Sequence, residues 1–248
     1  MHDILNPIKM LRSEHDKFND KEISDKDMKT IINCSMKAAN ASNVQRYSMI
    51  LLEDSNLIFE ITGKRTAKKA IIYCLDYNRI IQTAVHMNHP YHACTDNWYD
   101  IISGIFDVSA LAQTAVITAS ALGIDTLITN GVLRQNQRYV KEKLKLPTKY
   151  CIAIMAVLFG YTDDPREEIK NRLPAEYIVH KNEYRQLNDK DYDSIVKEYD
   201  VIYPEYISEK YPHYLDYLFL DWFNPTEEKD SYKEDIKNIL LEAGFYIN

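Results

Sequence analysis

Glycine is scarce in this chain, with six residues in 248. None forms a Gly-x-Gly-x-x-Gly turn or a Gly-Lys-Ser/Thr loop, so the two common Gly-rich phosphate cradles are excluded. No Ser or Cys stands in a Gly-rich elbow, which leaves a nucleophilic triad without support. The four cysteines, Cys34, Cys74, Cys94 and Cys151, form no Cys-x-x-Cys pair and sit in mainly apolar segments. They read as buried free thiols rather than as disulfides or metal ligands. His86, His89 and His92 cluster with Cys94 and Asp96, but the spacing fits neither one helix face nor a zinc pattern, so no metal is expected. The N-terminal stretch lacks the apolar run of a secretory signal, and a reducing cytoplasm is the expected compartment.

Positive charge is also short. Lys and Arg number 30 against 37 Asp and Glu, a net −7. The excess is uneven: residues 1–185 hold 24 basic and 22 acidic side chains, and residues 186–248 hold 6 and 15. A chain without a basic face is not expected to bind nucleic acid nonspecifically.

What is present is organised around Asp107–Gly123. This stretch has no Pro, no internal Gly and no charge after Asp107. Apolar residues surround its circumference, which predicts a central buried helix. Asp107 suits its start and Gly123 a left-handed stop. Polar interruptions and a length short of about 20 apolar residues argue against a membrane span. The small residues Ala110, Ala112, Ala115 and Ala119 let neighbouring backbones approach, including those of a second subunit.

Before it, Ser24 is a good N-cap for a helix running to about Ala39, with Ile23 and Met28 as a hydrophobic staple. Residues 38–47 read as a small-residue, amide-rich turn. Short apolar runs predict strands at Ser48–Glu53, Ala70–Asp76, Ile124–Ile128 and Cys151–Phe159. Gly63–Lys69 reads as a basic connection, and residues 77–104 as an irregular lid or flap. Asn136–Lys145 reads as an amphipathic helix stopped by Pro147. Composition changes near residue 186, so two parts are expected, residues 1–185 and an aromatic, acidic extension over 186–248. The extension carries nine of the nineteen tyrosines. Pro204, Pro212 and Pro225 cut it into short helices, the last capped by Ser231 and Glu234. Its aromatic density predicts an ordered segment packed on the core or on a partner subunit.

Taken together, four segments carry a family resemblance. Leu11-Arg12-Ser13-Glu14-His15, Ala38-Ala39-Asn40-Ala41-Ser42-Asn43-Val44-Gln45-Arg46-Tyr47, the Ala-rich helix ending in Ala-Leu-Gly, and Leu146-Pro147, Gly160-Tyr161 and Lys170-Asn171-Arg172 follow one another in order. Over roughly residues 8–185 the chain resembles the FMN-dependent nitroreductase family. Leu11 and His15 stand where that family has basic residues, and Arg46-Tyr47 stands in place of its Pro-Trp.

The resemblance implies an α+β fold, a nitroreductase-like mixed sheet flanked by helices with a central buried helix, plus the helical C-terminal extension. It implies FMN held by Arg12, Ser13, His15, Asn40, Ala41, Ser42, Asn43, Gln45, Asn130, Gly131, Lys170 and Arg172. Cations and hydroxyls suit the phosphate. Amides suit the ribityl chain and the ring edge, and the Asn130–Gly131 backbone resembles the loop near the reactive flavin nitrogen. The family further implies a homodimer with two flavin sites at the subunit interface and a ping-pong reaction. NADH or NADPH gives a hydride to FMN, and the flavin then passes electrons to a small-molecule acceptor such as a nitroaromatic or quinone. The cofactor carries that chemistry, so no side chain is named as a catalytic acid or base. Two other readings stay open from sequence: a flavin-binding protein without turnover, and an interaction protein whose flavin site has lapsed.

Overall fold

A computed structural model describes residues 5–15, 17–89, 95–135, 137–163, 169–224 and 236–246. The chain divides into two compact units, Met1–Glu167 with Tyr232–Asn248, and Glu168–Ser231. The second unit begins at Glu168, and the chain from Tyr232 is assigned to the first again.

In the first unit, α1 (Leu5–Lys9) and α2 (Asp25–Ser35) precede strand β1 (Tyr47–Leu52). Then come α3 (Ser55–Thr62), β2 (Lys69–Asp76), α4 (Asn78–His86), α5 (Trp98–Ala121), β3 (Asp125–Thr129), α6 (Gln137–Lys143) and β4 (Cys151–Gly160). The strands form one antiparallel sheet in the order β1-β2-β4-β3. The expected mixed character is confined to one parallel bridge, Ser13 to Thr126.

Both faces of this sheet are covered, which explains the continuous apolar runs of β2 and β4. Every residue of β2 is buried. Ile72 and Leu158 face a core completed by Ile58, Ile61 and Val132 on one side. Ile71, Tyr73 and Val157 face a core completed by α2 and α5 on the other, through Met28, Ile31, Val108, Leu111 and Ala115. Full burial of each such aliphatic side chain contributes about 1.5–3 kcal/mol. Burial pushes the Tyr73 phenol up to about 12.

The predicted caps of α2 and α5 divide. Ser24 accepts the Asp27 N–H as expected. Gly123 takes the left-handed conformation, φ +73°. Asp107, however, does not start α5. The helix begins three turns earlier, at an N-cap Asn97 whose side chain accepts the Asp100 N–H, and Asp107 lies buried in its interior. Nor is α5 buried all round, since Tyr99, Ile102 and Phe106 are exposed. By length and composition α5 could cross a membrane; here its other stripe is core.

Besides the five-residue α1, two helices lie where none was expected. One is α3, capped by Asp54, which accepts the Asn56 and Leu57 N–H groups. The other is α4, in the stretch read as irregular. A third cluster closes the sheet end, where Leu75, Tyr77, Ile81, Ile101 and Ile152 bury Ala243 and Phe245 from the chain's last segment.

The second unit holds α7 (Asp189–Ile202), a short α8 (Tyr214–Tyr217) and a π-turn, Leu218–Trp222. Asn188 and Asp191 form a capping box on α7. Six tyrosines then build a cluster in which Tyr203 stacks on Tyr214 at 4.2 Å and Tyr206 on Tyr217 at 4.7 Å between ring centroids. Pro225, Ser231 and Glu234 lie outside the described residues.

Candidate functional site

The first group of candidate residues follows α1. Ser13 bridges to Thr126 at the start of β3, and the Glu14 N–H donates to the Thr126 carbonyl at 2.9 Å. This bridge fixes Arg12, whose Nη2 lies 3.1 Å from the Glu14 carboxylate. Glu14 is buried, whereas Ser13 and His15 are exposed. Arg12 and Ser120 of α5 line one small cleft. The pairing with Glu14 orients the Arg12 guanidinium.

The second group is the amide-rich turn. It is a single 3-10 turn, Ala41–Asn43, entered from an extended Asn40. Ser42, Asn43 and Gln45 all take positive φ, at 54°, 53° and 57°. Such angles cost energy in residues with a Cβ, and they turn all three polar side chains out to solvent. Asn40 Oδ1 is buried with no hydrogen-bond partner among the described residues. Ala41 is held at both ends: its N–H donates to Asp107 Oδ1 at 2.7 Å, and its carbonyl accepts from Arg46 Nη1 at 3.2 Å. Burial, with the Asp107 carboxylate near, raises the Tyr47 phenol above its ordinary value.

Asn130 and Gly131 stand at the end of β3, where the Gly131 N–H donates to Thr129 Oγ1 at 2.9 Å. Lys170 and Arg172 belong to the second unit. There Lys170 pairs with Glu205 and lies 4.3 Å over the Tyr203 ring. Arg172 donates to the carbonyls of Lys170 and Asn171.

Two residues of this site escaped the sequence reading, Asp107 and Arg46. Their signal was present: a lone carboxylate within an apolar helix, and an Arg directly after the amide-rich turn. His92 and Cys94 lie outside the described residues, and among the described residues no three His, Cys, Asp or Glu side chains gather to hold a metal ion. Cys74 and Cys151 are free and buried, and contact with Cys151 together with burial holds the Cys74 thiol well above its ordinary range.

A family model for the nitroreductase family matches residues 8–161. The oxygen-insensitive NADPH nitroreductase of Salmonella typhimurium is 30% identical over 196 residues, which cover 73% of this chain and 76% of that protein. The NADPH-flavin oxidoreductase of Vibrio harveyi is 29% identical over 196 residues, covering 74% and 77%. Among solved structures, B. megaterium NfrA2 superposes with a TM-score of 0.83 over 100% of both chains at 24% identity, a likeness of fold.

Proposed function

This chain belongs to the nitroreductase family, and we propose that it is an FMN-dependent NAD(P)H oxidoreductase that reduces electron-poor small molecules. FMN supplies hydride acceptance and electron donation when bound, in two alternating half-reactions, first with NADH or NADPH and then with a nitroaromatic, a quinone or a similar acceptor.

The donor set fits that group. Exposed Ser13 and His15 beside Arg12 suit a phosphate. The turn offers a hydroxyl and two amides on Ser42, Asn43 and Gln45, which suit a polyol and a polar ring edge. The buried Asn40 Oδ1 is an acceptor awaiting an N–H donor, and this orphan atom carries the reading. The Thr129 hydroxyl accepts the Gly131 N–H and so orients the Asn130–Gly131 backbone.

The same geometry supports a homodimer. Arg12 attaches near Ser120 and the Asn40–Gln45 turn attaches at Asp107. Those points on α5 are thirteen residues apart, about 20 Å along a helix. Two copies of the chain bring one protomer's turn to the other's Arg12, with the exposed stripe of α5 as interface. The buried free thiols Cys74 and Cys151 suit a reducing cytoplasm.

The test is the visible absorption spectrum of the purified protein mixed with FMN, before and after anaerobic NADH or NADPH. The expected result is a bound-flavin band that bleaches with either nucleotide and returns on adding a quinone. A colourless protein that takes up no FMN sinks the proposal.

A further inference from the structure

The face of α5 that meets the amide-rich turn carries Asp100, Gly104 and Asp107, spaced i, i+4 and i+7, one stripe of a helix. Arg46 lies along that stripe. Its Nη1 is 3.6 Å from Asp107 Oδ2 and its Nη2 is 3.6 Å from Asp100 Oδ1. Gly104 leaves the space: a Cβ there would stand 3.6 Å from Arg46 Cβ and 2.3 Å from Leu75 Cδ1. Arg46 is 8% exposed and Asp107 1%.

Such burial is costly. Asp107 Oδ2 and Arg46 Nε make no hydrogen bond among the described residues, so this pair is not an optimised source of stability. Apolar residues of the same volume commonly serve stability as well or better than a buried ion pair. What the charged pair does provide is directional. Between them the two side chains take up the N–H and the C=O of Ala41. Of the three residues held left-handed, Ser42 and Asn43 follow immediately and Gln45 comes after a right-handed Val44. Backbones of that kind persist where their surroundings over-determine them; here Asp107 and Arg46 hold the entry to the turn at Ala41, and Arg79 Nη2 donates to the Gln45 carbonyl at 2.6 Å at its exit.

We propose that Arg46 and Asp107 are positioning residues that clamp the Ala41 peptide and so hold the Asn40–Gln45 turn in the form that presents its polar side chains to the flavin. The inference rests on the FMN reading above and adds to it two residues that need not touch the cofactor. Asp100 extends the clamp by balancing the second edge of the guanidinium.

The experiment compares wild type with Arg46→Met, Arg46→Lys and Asp107→Asn. Asn keeps an acceptor for the Ala41 N–H while removing the charge, and Lys keeps the charge. Three quantities are read: amide hydrogen exchange at residues 41–45 in the flavin-free protein, the FMN dissociation constant, and the visible circular dichroism of bound FMN. In Arg46→Met and Asp107→Asn, exchange in the turn should quicken and the dichroism should change. FMN should bind about tenfold more weakly, because part of its binding energy then goes into ordering the turn. Arg46→Lys should recover part of each effect, and it keeps the test open if Asp107→Asn fails to fold. Wild-type affinity, dichroism and exchange in all folded variants would overturn the clamp alone. A wild-type protein that takes up no FMN overturns the site reading on which the clamp rests.

Discussion

Asp200 serves two groups at once in the second unit. Its Oδ2 lies 2.7 Å from His213 Nδ1, and its Oδ1 accepts the Tyr214 N–H at 2.8 Å. The hydrogen bond to Asp200 raises the His213 pKa above its ordinary value, with the Asp200 and Asp216 charges adding to it. A group whose folded pKa is raised binds its proton more tightly in the native state. Its contribution to stability is therefore fully present below the unfolded value, about 6.5, and fades as pH climbs through the raised folded value. We expect the thermal midpoint of the second unit, followed by tyrosine fluorescence, to fall in His213→Gln most strongly in mildly acidic buffer. The gap from wild type should narrow as pH rises above about 7, past the unfolded value. A gap constant across that range would show that the His213–Asp200 pair adds no pH-dependent stability. The pairing itself was not legible in the sequence, since residues 200 and 213 meet only because the intervening chain turns back. The contact between Arg46 and Asp107, 61 positions apart, was hidden for the same reason, although each residue carried a local signal of its own.

At the scale of elements, the last described segment belongs to the first unit's core. Residues 236–242 are helical, and Phe245 beyond them is fully buried, edge-on to Tyr77 at 6.2 Å between centroids. The Tyr150 N–H donates to the Ala243 carbonyl at 2.6 Å, and Thr95 Oγ1 donates to the Gly244 carbonyl at 2.7 Å. Phe245→Ala should thus cost roughly 3–5 kcal/mol, as for other fully buried aromatics, measured by urea unfolding. A loss under about 1 kcal/mol, the range of surface changes, would show that the segment only drapes the core. This placement was the hardest to read ahead. An amphipathic helix announces that it packs, through Ile236, Ile239 and Leu240, but not against what. Strands β2 and β4 were plain, because burial on both faces writes an unbroken apolar run. The start of α5 was hidden within residues 77–104, the stretch read as irregular, where Gly104 leaves room for Arg46 and Leu75. In α4, Tyr77 at the N-cap makes no side-chain cap, so the usual starting signature was missing and the stretch looked irregular.

On the scale of the whole molecule, α5 ties the fold to the proposed assembly. Its inward stripe is core, and Tyr99, Ile102 and Phe106, at i, i+3 and i+7, form an outward stripe with Trp98 and Ile105 beside it. Contiguous apolar surface of this kind on a folded chain marks an interaction site. The spacing of Arg12 and the amide-rich turn along the same helix supports the proposed sharing of one flavin between two copies. These two observations make a joint prediction, because a site shared between protomers links cofactor binding to association. Dilution should release FMN along with subunits, and added FMN should hold the dimer together at concentrations where the flavin-free chain dissociates. Sedimentation followed at flavin and protein wavelengths measures both. Phe106→Asp places a carboxylate in the outward stripe, and burying it unpaired at the interface is costly. That variant should sediment as a folded monomer with FMN affinity lowered by about tenfold or more, although residue 106 belongs to none of the flavin groups. A monomeric Phe106→Asp that still binds FMN as wild type does would place the whole site within one protomer.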